Sequence, residues 1–375
     1  MTTQTTLFDN IPVAAPPTEG IKYAGSKLRL LPEILRLAGK VNAKTVLDGF
    51  SGTTRVSQAF AQTGHGVICN DHAVWSEFFG TCFLLGSVPS DYQSLIDHLN
   101  AVAPRDGWFT EHYGASPERS ASATGAKRPW QLHNTRKLDG IRDEIDLLSL
   151  DKVEKAVALT SLILALDRVD STLGHFVSYL RDWSPRSYNT LHLRVPAIVG
   201  RGAEHQVLRK DVFDVASQAD VDLAYFDPPY GSNNEKMPPS RVRYSAYYHI
   251  WTTICLNDRP DLFGKVGRRR DSSDTVSSSR FEDFRRDESG RFVCVNALAE
   301  LLASTRAPHI LLSYSSGGRA TAEELNSVIE ASGSVIEMLD IDYKRNVMAS
   351  MRWTNEWLRD ADTPNREFLF LIARR

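Results

Sequence analysis

Apolar residues recur at helical spacing in "LRLLPEILRLAG" (28–39), after the glycine turn of "GIKYAGSK" (20–27), and predict a helix ending near Gly39. "KTVLDGF" (44–50) reads as a short strand running into a glycine turn. "TRVSQAFAQTG" (54–64) reads as a helix stopped by Gly64, and "HGVICND" (65–71) as a second strand ending in an acid. Such a strand–turn–helix–strand unit begins a parallel α/β sheet. Helical periodicity returns in "TRKLDGIRDEIDLLSL" (135–150) and "DKVEKAVALTSLILALDRVD" (151–170). Strand signal returns in "HQVLRKDVFD" (205–214), "VDLAYFD" (221–227), "PHILLSYSS" (308–316), "SVIEMLDIDY" (334–343) and "REFLFLIARR" (366–375). The last two suit an antiparallel pair closing one edge. The pattern therefore predicts an α/β fold: a mostly parallel sheet with an antiparallel edge pair.

The same pass sets the expected organisation. Residues 1–19, with Pro12, Pro16 and Pro17 among small and polar residues, read as a disordered tail. Residues 20–75 form the first part of the sheet domain. Residues 76–205 interrupt it with helical and loop-like sequence. Residues 206–375 complete it, with a polar, charged segment at 231–290 expected to be mobile or ordered by a partner. Both interruptions follow the carboxyl end of a strand, the edge at which open α/β sheets bind ligands.

Composition narrows the class. The formal charge of the 375-residue chain is −2, so a polyanionic partner must be met by a local basic patch. The four cysteines, Cys69, Cys82, Cys255 and Cys294, are widely spaced, which argues for reduced thiols and against zinc. The longest apolar run, in "AVALTSLILAL", is too short to span a bilayer, and the amino terminus lacks a signal-peptide pattern. A soluble, cytoplasmic protein is expected.

Three constellations carry chemistry. In "LDGFSGTTRVS", a strand ends at Asp48 and glycines at 49 and 52 flank Phe50 and Ser51. Glycine lets backbone approach a ligand closely. Asp48 argues against a phosphate and for a ligand with a cationic or hydroxyl part. Asp71 in "CNDHAV" ends the next strand, where an acid commonly binds ribose hydroxyls or else caps the following helix. In "YFDPPYG", two prolines halt the strand in a rigid turn. The carbonyl between the prolines and the Asp227 carboxylate become two fixed acceptors, suited to the two N–H donors of an exocyclic amine. Tyr230 offers a face on which a base can stack.

With "IKYAGSK", "DGFSGTTRVS" and "DPPY" in this order, the chain resembles the amino-methylating DNA methyltransferases, and among them the Dam-like adenine-specific enzymes of the alpha group. The resemblance covers most of residues 21–373. It departs at Thr54, where the family often has a second glycine. It implies the Rossmann-like S-adenosylmethionine-dependent methyltransferase fold with an inserted helical and loop DNA-recognition region, S-adenosyl-L-methionine as cofactor, and double-stranded DNA as partner. It also admits a cognate restriction endonuclease as a partner, and assigns no oligomeric state. Carried over by motif, Tyr23, Lys27, Asp48, Phe50, Ser51, Gly52, Asp71, Asp211 and Asp227 would surround the cofactor, with Lys27 on its carboxylate, Asp71 on its ribose and Asp211 on its adenine. Asp227, the Pro228 carbonyl and Tyr230 would hold a flipped-out base for direct, in-line methyl transfer. Basic and aromatic residues interleave in "KRPWQLHNTRK", "YLRDWSPRSYNTLHLR" and "GKVGRRR", making Arg181, Arg186, Arg268, Arg269 and Arg270 candidate DNA contacts. His175 reads as structural. Three alternatives stand beside adenine: a cytosine-N4 methyltransferase, whose turn more often begins with serine; a protein-glutamine methyltransferase, whose turn generally begins with asparagine; and a non-catalytic DNA-binding regulator keeping the fold.

Overall fold

The computed structural model describes residues 14–116, 128–180, 182–200, 203–231, 243–273, 276, 279–283, 285–342 and 366–375. The chain opens with α1 (Leu31–Lys40), β1 (Thr45–Asp48), α2 (Arg55–Gln62), β2 (Gly66–Asn70) and α3 (Val74–Leu85). Then come α4 (Gln93–Ala101), α5 (Trp108–Tyr113), the two-residue strands β3 (Gly114–Ala115) and β4 (Trp130–Gln131), α6 (Leu132–Leu147) and α7 (Lys152–Arg168). The sheet resumes with β5 (His205–Leu208), α8 (Val212–Gln218) and β6 (Leu223–Phe226). It is followed by α9 (Tyr244–Tyr247), α10 (His249–Leu256) and a small ribbon of β7 (Leu262–Phe263) and β8 (Arg268–Arg269). The chain closes with α11 (Val293–Ser304), β9 (His309–Ser315), α12 (Ala322–Ser332), β10 (Gly333–Asp342) and β11 (Arg366–Arg374).

Seven strands form the central sheet in the order β10-β11-β9-β6-β1-β2-β5. β5, β2, β1, β6 and β9 run parallel, and β11 lies antiparallel between β9 and β10. The mostly parallel sheet with an antiparallel edge pair is thus present. Strand alternation distributes side chains to two layers. Val46, Tyr225 and Leu369 face α1 and α2, whereas Leu47, Phe226 and Phe370 face α8, α11 and α12. A third core joins α3, α6, α7 and α10. Its centre is α7, buried from Ala156 to Leu166 and started by a capping box of Asp151 and Glu154.

Some boundaries differ from the sequence expectation, each for a local reason. α3 falls largely within the stretch read as an interruption, yet it packs on β5 of the sheet as a crossover helix. "HQVLRKDVFD" is strand only to Leu208. Asp211 accepts a hydrogen bond from the Phe213 N–H at 3.0 Å and starts α8. In the polar 231–290 segment, α10 contributes Ile250, Trp251 and Ile254 to the third core, because "YYHIWTTICL" is itself apolar. Within the stretch read as a tail, Gln58 bonds both backbone groups of Glu19, and Arg55 donates to the Thr18 carbonyl at 2.5 Å. No helix among the described residues is long and apolar enough to cross a membrane.

Candidate active site

Parallel strands place their carboxyl ends along one edge, so the turns after β1, β2 and β6 converge there. Two glycines make the first turn tight. A Cβ on Gly49 would lie 2.7 Å from the Phe226 ring, and Gly52 has φ +47° with the Tyr23 hydroxyl 3.2 Å from where a Cβ would stand. The next residue but one, Thr54, is also left-handed, at φ 61°. This is the position at which the family often has glycine, and a β-branched residue is strained there. Asp71 closes the loop from behind, accepting from the Gly52 N–H and the Ala73 N–H, both at 2.8 Å.

Tyr23, Gly25, Lys27, Asp48, Phe50, Ser51, Gly52 and Asp227 line one open cleft of about 320 Å³, solvent side included. Asp48 is the most telling of them. One of its oxygens accepts from the Ser57 hydroxyl at 2.6 Å, while the other is buried without a hydrogen-bond partner. Burial pushes its carboxyl up to about 7, against the bond from Ser57. An orphaned buried carboxylate oxygen beside a glycine turn fits a ligand bearing an ammonium group. Asp211, by contrast, is exposed at the start of α8 and does not line the cleft. Next to it, Phe213 stacks on Phe281, whose ring meets Phe50 edge-on at 5.1 Å, so an aromatic wall connects Asp211 to the cleft.

The second turn carries Asp227, and both its oxygens are engaged. Oδ2 faces the Lys27 ammonium at 3.1 Å, and Oδ1 accepts from the Tyr230 hydroxyl. That hydroxyl is also 3.0 Å from Ser313 Oγ on β9. Burial raises the Asp227 carboxyl more than Lys27 and Tyr230 lower it. The Tyr230 ring lies against Tyr314, centroids 4.9 Å apart, and under Lys27 Nζ at 5.0 Å. Lys27 therefore meets Asp227, where the sequence implied a cofactor carboxylate.

Glu367 was missed by sequence reasoning. It sits at the start of β11, and because β11 is antiparallel, a strand's start lies at the same edge as the ends of the others. It is 8 % exposed, with Oε1 3.9 Å from Lys27 Nζ and Oε2 without a hydrogen-bond partner. Burial and the nearby Asp227 charge push its carboxyl up to about 7 despite Lys27. Only the strand order could reveal this residue. "REFLFL" shows a strand, not its direction.

A model of the D12 class of N6 adenine-specific DNA methyltransferases matches residues 23–285, which include the cleft and the Asp-Pro-Pro-Tyr turn. The chain belongs to this family. Members of the class take their methyl group from S-adenosyl-L-methionine, and the cleft's buried acid and glycine cradle fit that ligand. Among proteins similar to this chain, the modification methylase StsI of Streptococcus sanguinis is 24 % identical over 345 residues, 87 % of this chain and 48 % of its own. The Type II methyltransferase M.FokI of Planomicrobium okeanokoites is 25 % identical over 94 % of this chain and 53 % of its own. M.NlaIII of Neisseria lactamica is 25 % identical over 87 % of this chain and 92 % of its own. The chain thus spans about half the length of the first two and nearly all of the third.

The expected DNA-contacting residues of this D12 chain separate on inspection. Arg269 is 3 % exposed and pairs with Asp258 and Asp271, each at 2.7 Å, so its guanidinium is unavailable to a phosphate. Arg186 is bonded to Asp170 and to the Thr172 carbonyl. Arg268 donates to the Ser272 carbonyl and lies over Phe263. Arg270 is exposed, and Arg181 lies outside the described residues. Trp130 and Tyr179, from the same interleaved stretches, are core residues. His175 is buried against Tyr247, consistent with a structural place.

Proposed function

We propose that this chain is a site-specific DNA methyltransferase that transfers a methyl group from S-adenosyl-L-methionine to the N6 amine of an adenine flipped out of duplex DNA. The observation that carries the reading is the half-buried Asp227 carboxylate, fixed between a strand and two prolines at the rim of a cleft that fits the cofactor. Tyr23, Lys27, Phe50, Ser51, Gly52 and Asp48 would hold the cofactor's amino-acid part, with Asp48 on its ammonium. Asp71 and Asp211 would serve its ribose and adenine. When bound, the cofactor supplies an electrophilic methyl group.

The chain's own residues would do the rest. Asp227 and the Pro228 carbonyl accept the two N–H groups of the target amine and favour a tetrahedral nitrogen whose lone pair points outward. Those bonds strengthen as positive charge develops on nitrogen, so they act on the chemical step. Tyr230 already donates to Asp227 Oδ1, so capture of the amine exchanges one donor for another rather than desolvating a bare carboxylate. Its ring then supports the base.

In this reading residues 20–75 and 206–375 form the catalytic part, and 76–205 with the 231–290 segment face the DNA. Arg270 and Arg181 remain as phosphate contacts, and a cognate restriction endonuclease accompanies the enzyme in the cytoplasm, in keeping with relatives named modification methylases. The test is product identity. Duplex DNA incubated with the protein and labelled S-adenosyl-L-methionine, then digested to nucleosides, should carry the label in N6-methyl-2′-deoxyadenosine. Label only in cytosine, or only in protein, would overturn the substrate.

A further inference from the structure

We propose that Glu367 is the terminal proton acceptor of the site, taking up through Lys27 the proton that methylation of the amine releases. The inference rests on the proposed amine methylation and adds a residue to it.

The chemistry requires an acceptor. The amine lone pair forms the new N–C bond, the methyl group's bond to sulfur breaks with its electron pair left on sulfur, and the nitrogen becomes cationic with one proton too many. The nearest base is Asp227. It is a poor final resting place, because a protonated Asp227 no longer accepts from the amine and cannot prepare the next turnover.

The geometry offers a way out. Lys27 Nζ lies 3.1 Å from Asp227 Oδ2 and 3.9 Å from Glu367 Oε1. When the Lys27 ammonium moves from 3.9 Å into hydrogen-bond reach of Glu367, it can give Glu367 one of its protons as it takes one from Asp227, so Lys27 ends as it began and the proton has moved across it. Lys27 is 5 % and Glu367 8 % exposed, so these two groups face each other largely away from water, with Asp227 half-buried beside them. Among the described residues Lys27 faces two carboxylates, and a proton on Glu367 relieves the repulsion between them. Glu367 Oε2, buried without a hydrogen-bond partner, is the atom with room for it. The arrangement follows from the fold. Glu367 stands two residues before Leu369, which faces α1 and α2, and Asp227 stands two residues after Tyr225, which faces the same layer, so alternation sends both carboxylates to the side where Lys27 enters. Among the described residues, the phenols of Tyr225 and Tyr230 also feel the Glu367 charge, and both are neutral because burial holds them well above their usual range. The adjacent Arg366 is turned to Asp340 at 2.6 Å.

Multiple-turnover methyl transfer across pH tests this, because the acceptor resets Asp227 between turnovers. The wild type should show an acid limb, its rate falling as Glu367 is already protonated. Glu367→Gln should lose that limb and run about 100-fold slower at alkaline pH, as expected when a proton-transfer partner is removed. Glu367→Asp should keep a limb with a shifted midpoint. Infrared difference spectra of the protein alone give a second readout: Glu367→Gln should lose part of the protonated-carboxyl intensity that titrates near neutrality, while the part carried by Asp48 stays. An acid limb unchanged in both variants, or no such loss of intensity, would overturn the inference. Should Glu367→Gln not fold, the Glu367→Asp midpoint decides: a shift supports the inference and an unmoved midpoint overturns it. A protein that transfers no methyl group fails the underlying reading instead, and the infrared band still reports on Glu367.

Discussion

Buried charge is handled in opposite ways in two regions of the molecule. In the helical layer it is matched. Arg269 forks onto Asp258 and Asp271, Asp170 collects Lys22, Thr172 and Arg186, and Arg142 donates to the Ile254 and Cys255 carbonyls at the end of α10. At the sheet edge it is left short. Asp48 and Glu367 each keep an oxygen without a partner, and Asp227 and Glu367 share one ammonium. Satisfied networks fix a structure, whereas buried acids with raised pKa values mark places where a ligand or a proton completes the arrangement.

The contrast can be broken by deletion. Arg269→Ala should destabilise the protein by about 3 kcal/mol, the low end for removing one member of a buried pair, since the abandoned carboxylates reach water. Denaturant unfolding measures this. Arg270→Ala, one residue along, should leave stability unchanged and weaken DNA binding, with the salt dependence of affinity falling by about one unit of slope. If Arg270→Ala unfolds the protein and Arg269→Ala only weakens DNA binding, the division between the regions is wrong.

The second prediction concerns pH. Glu367 titrates near 7 in the folded chain against 4.5 as the ordinary value, so the native state holds the proton more tightly than the unfolded one. Its contribution to stability is full below about pH 4.5 and is lost as pH rises through about 7. Glu367→Gln removes that loss. The variant should be more stable than the wild type near pH 8 by on the order of 2 kcal/mol, with the gap closing towards about pH 5. A gap that widens on acidification would reverse the sign and refute the account of the edge.

The smallest effect is expected at Thr54. Glycine there relieves a left-handed β-branched residue but frees the unfolded chain and removes the Thr54 hydroxyl that accepts from Gln58. A net gain of about 0.5 kcal/mol is expected in thermal unfolding, and a loss above about 1 kcal/mol would show that the turn is not strained.

How much of this was legible in the sequence follows the range of the interactions. β1, α2 and β2 were readable because glycines and alternation act over a few residues, and "DPPY" announced a rigid acceptor for the same reason. The amphipathic α1 and the capped α7 were equally local. Arg269 was misread because a basic run looks alike whether solvated or folded inward, and only Asp258 and Asp271 brought beside it decide. Glu367 was invisible because its partner Lys27 lies at the other end of the chain and its face depends on strand direction.

The central claim is that the Asp227 carboxylate accepts from the amine being methylated, and Asp227→Ala tests it most directly. Alanine adds no bulk and keeps both prolines, so the variant should fold and still bind S-adenosyl-L-methionine. Single-turnover methyl transfer into duplex DNA should fall by roughly two to three orders of magnitude, as when one preorganised transition-state partner is lost. A folded, cofactor-binding Asp227→Ala protein that methylates adenine at the wild-type rate would contradict it.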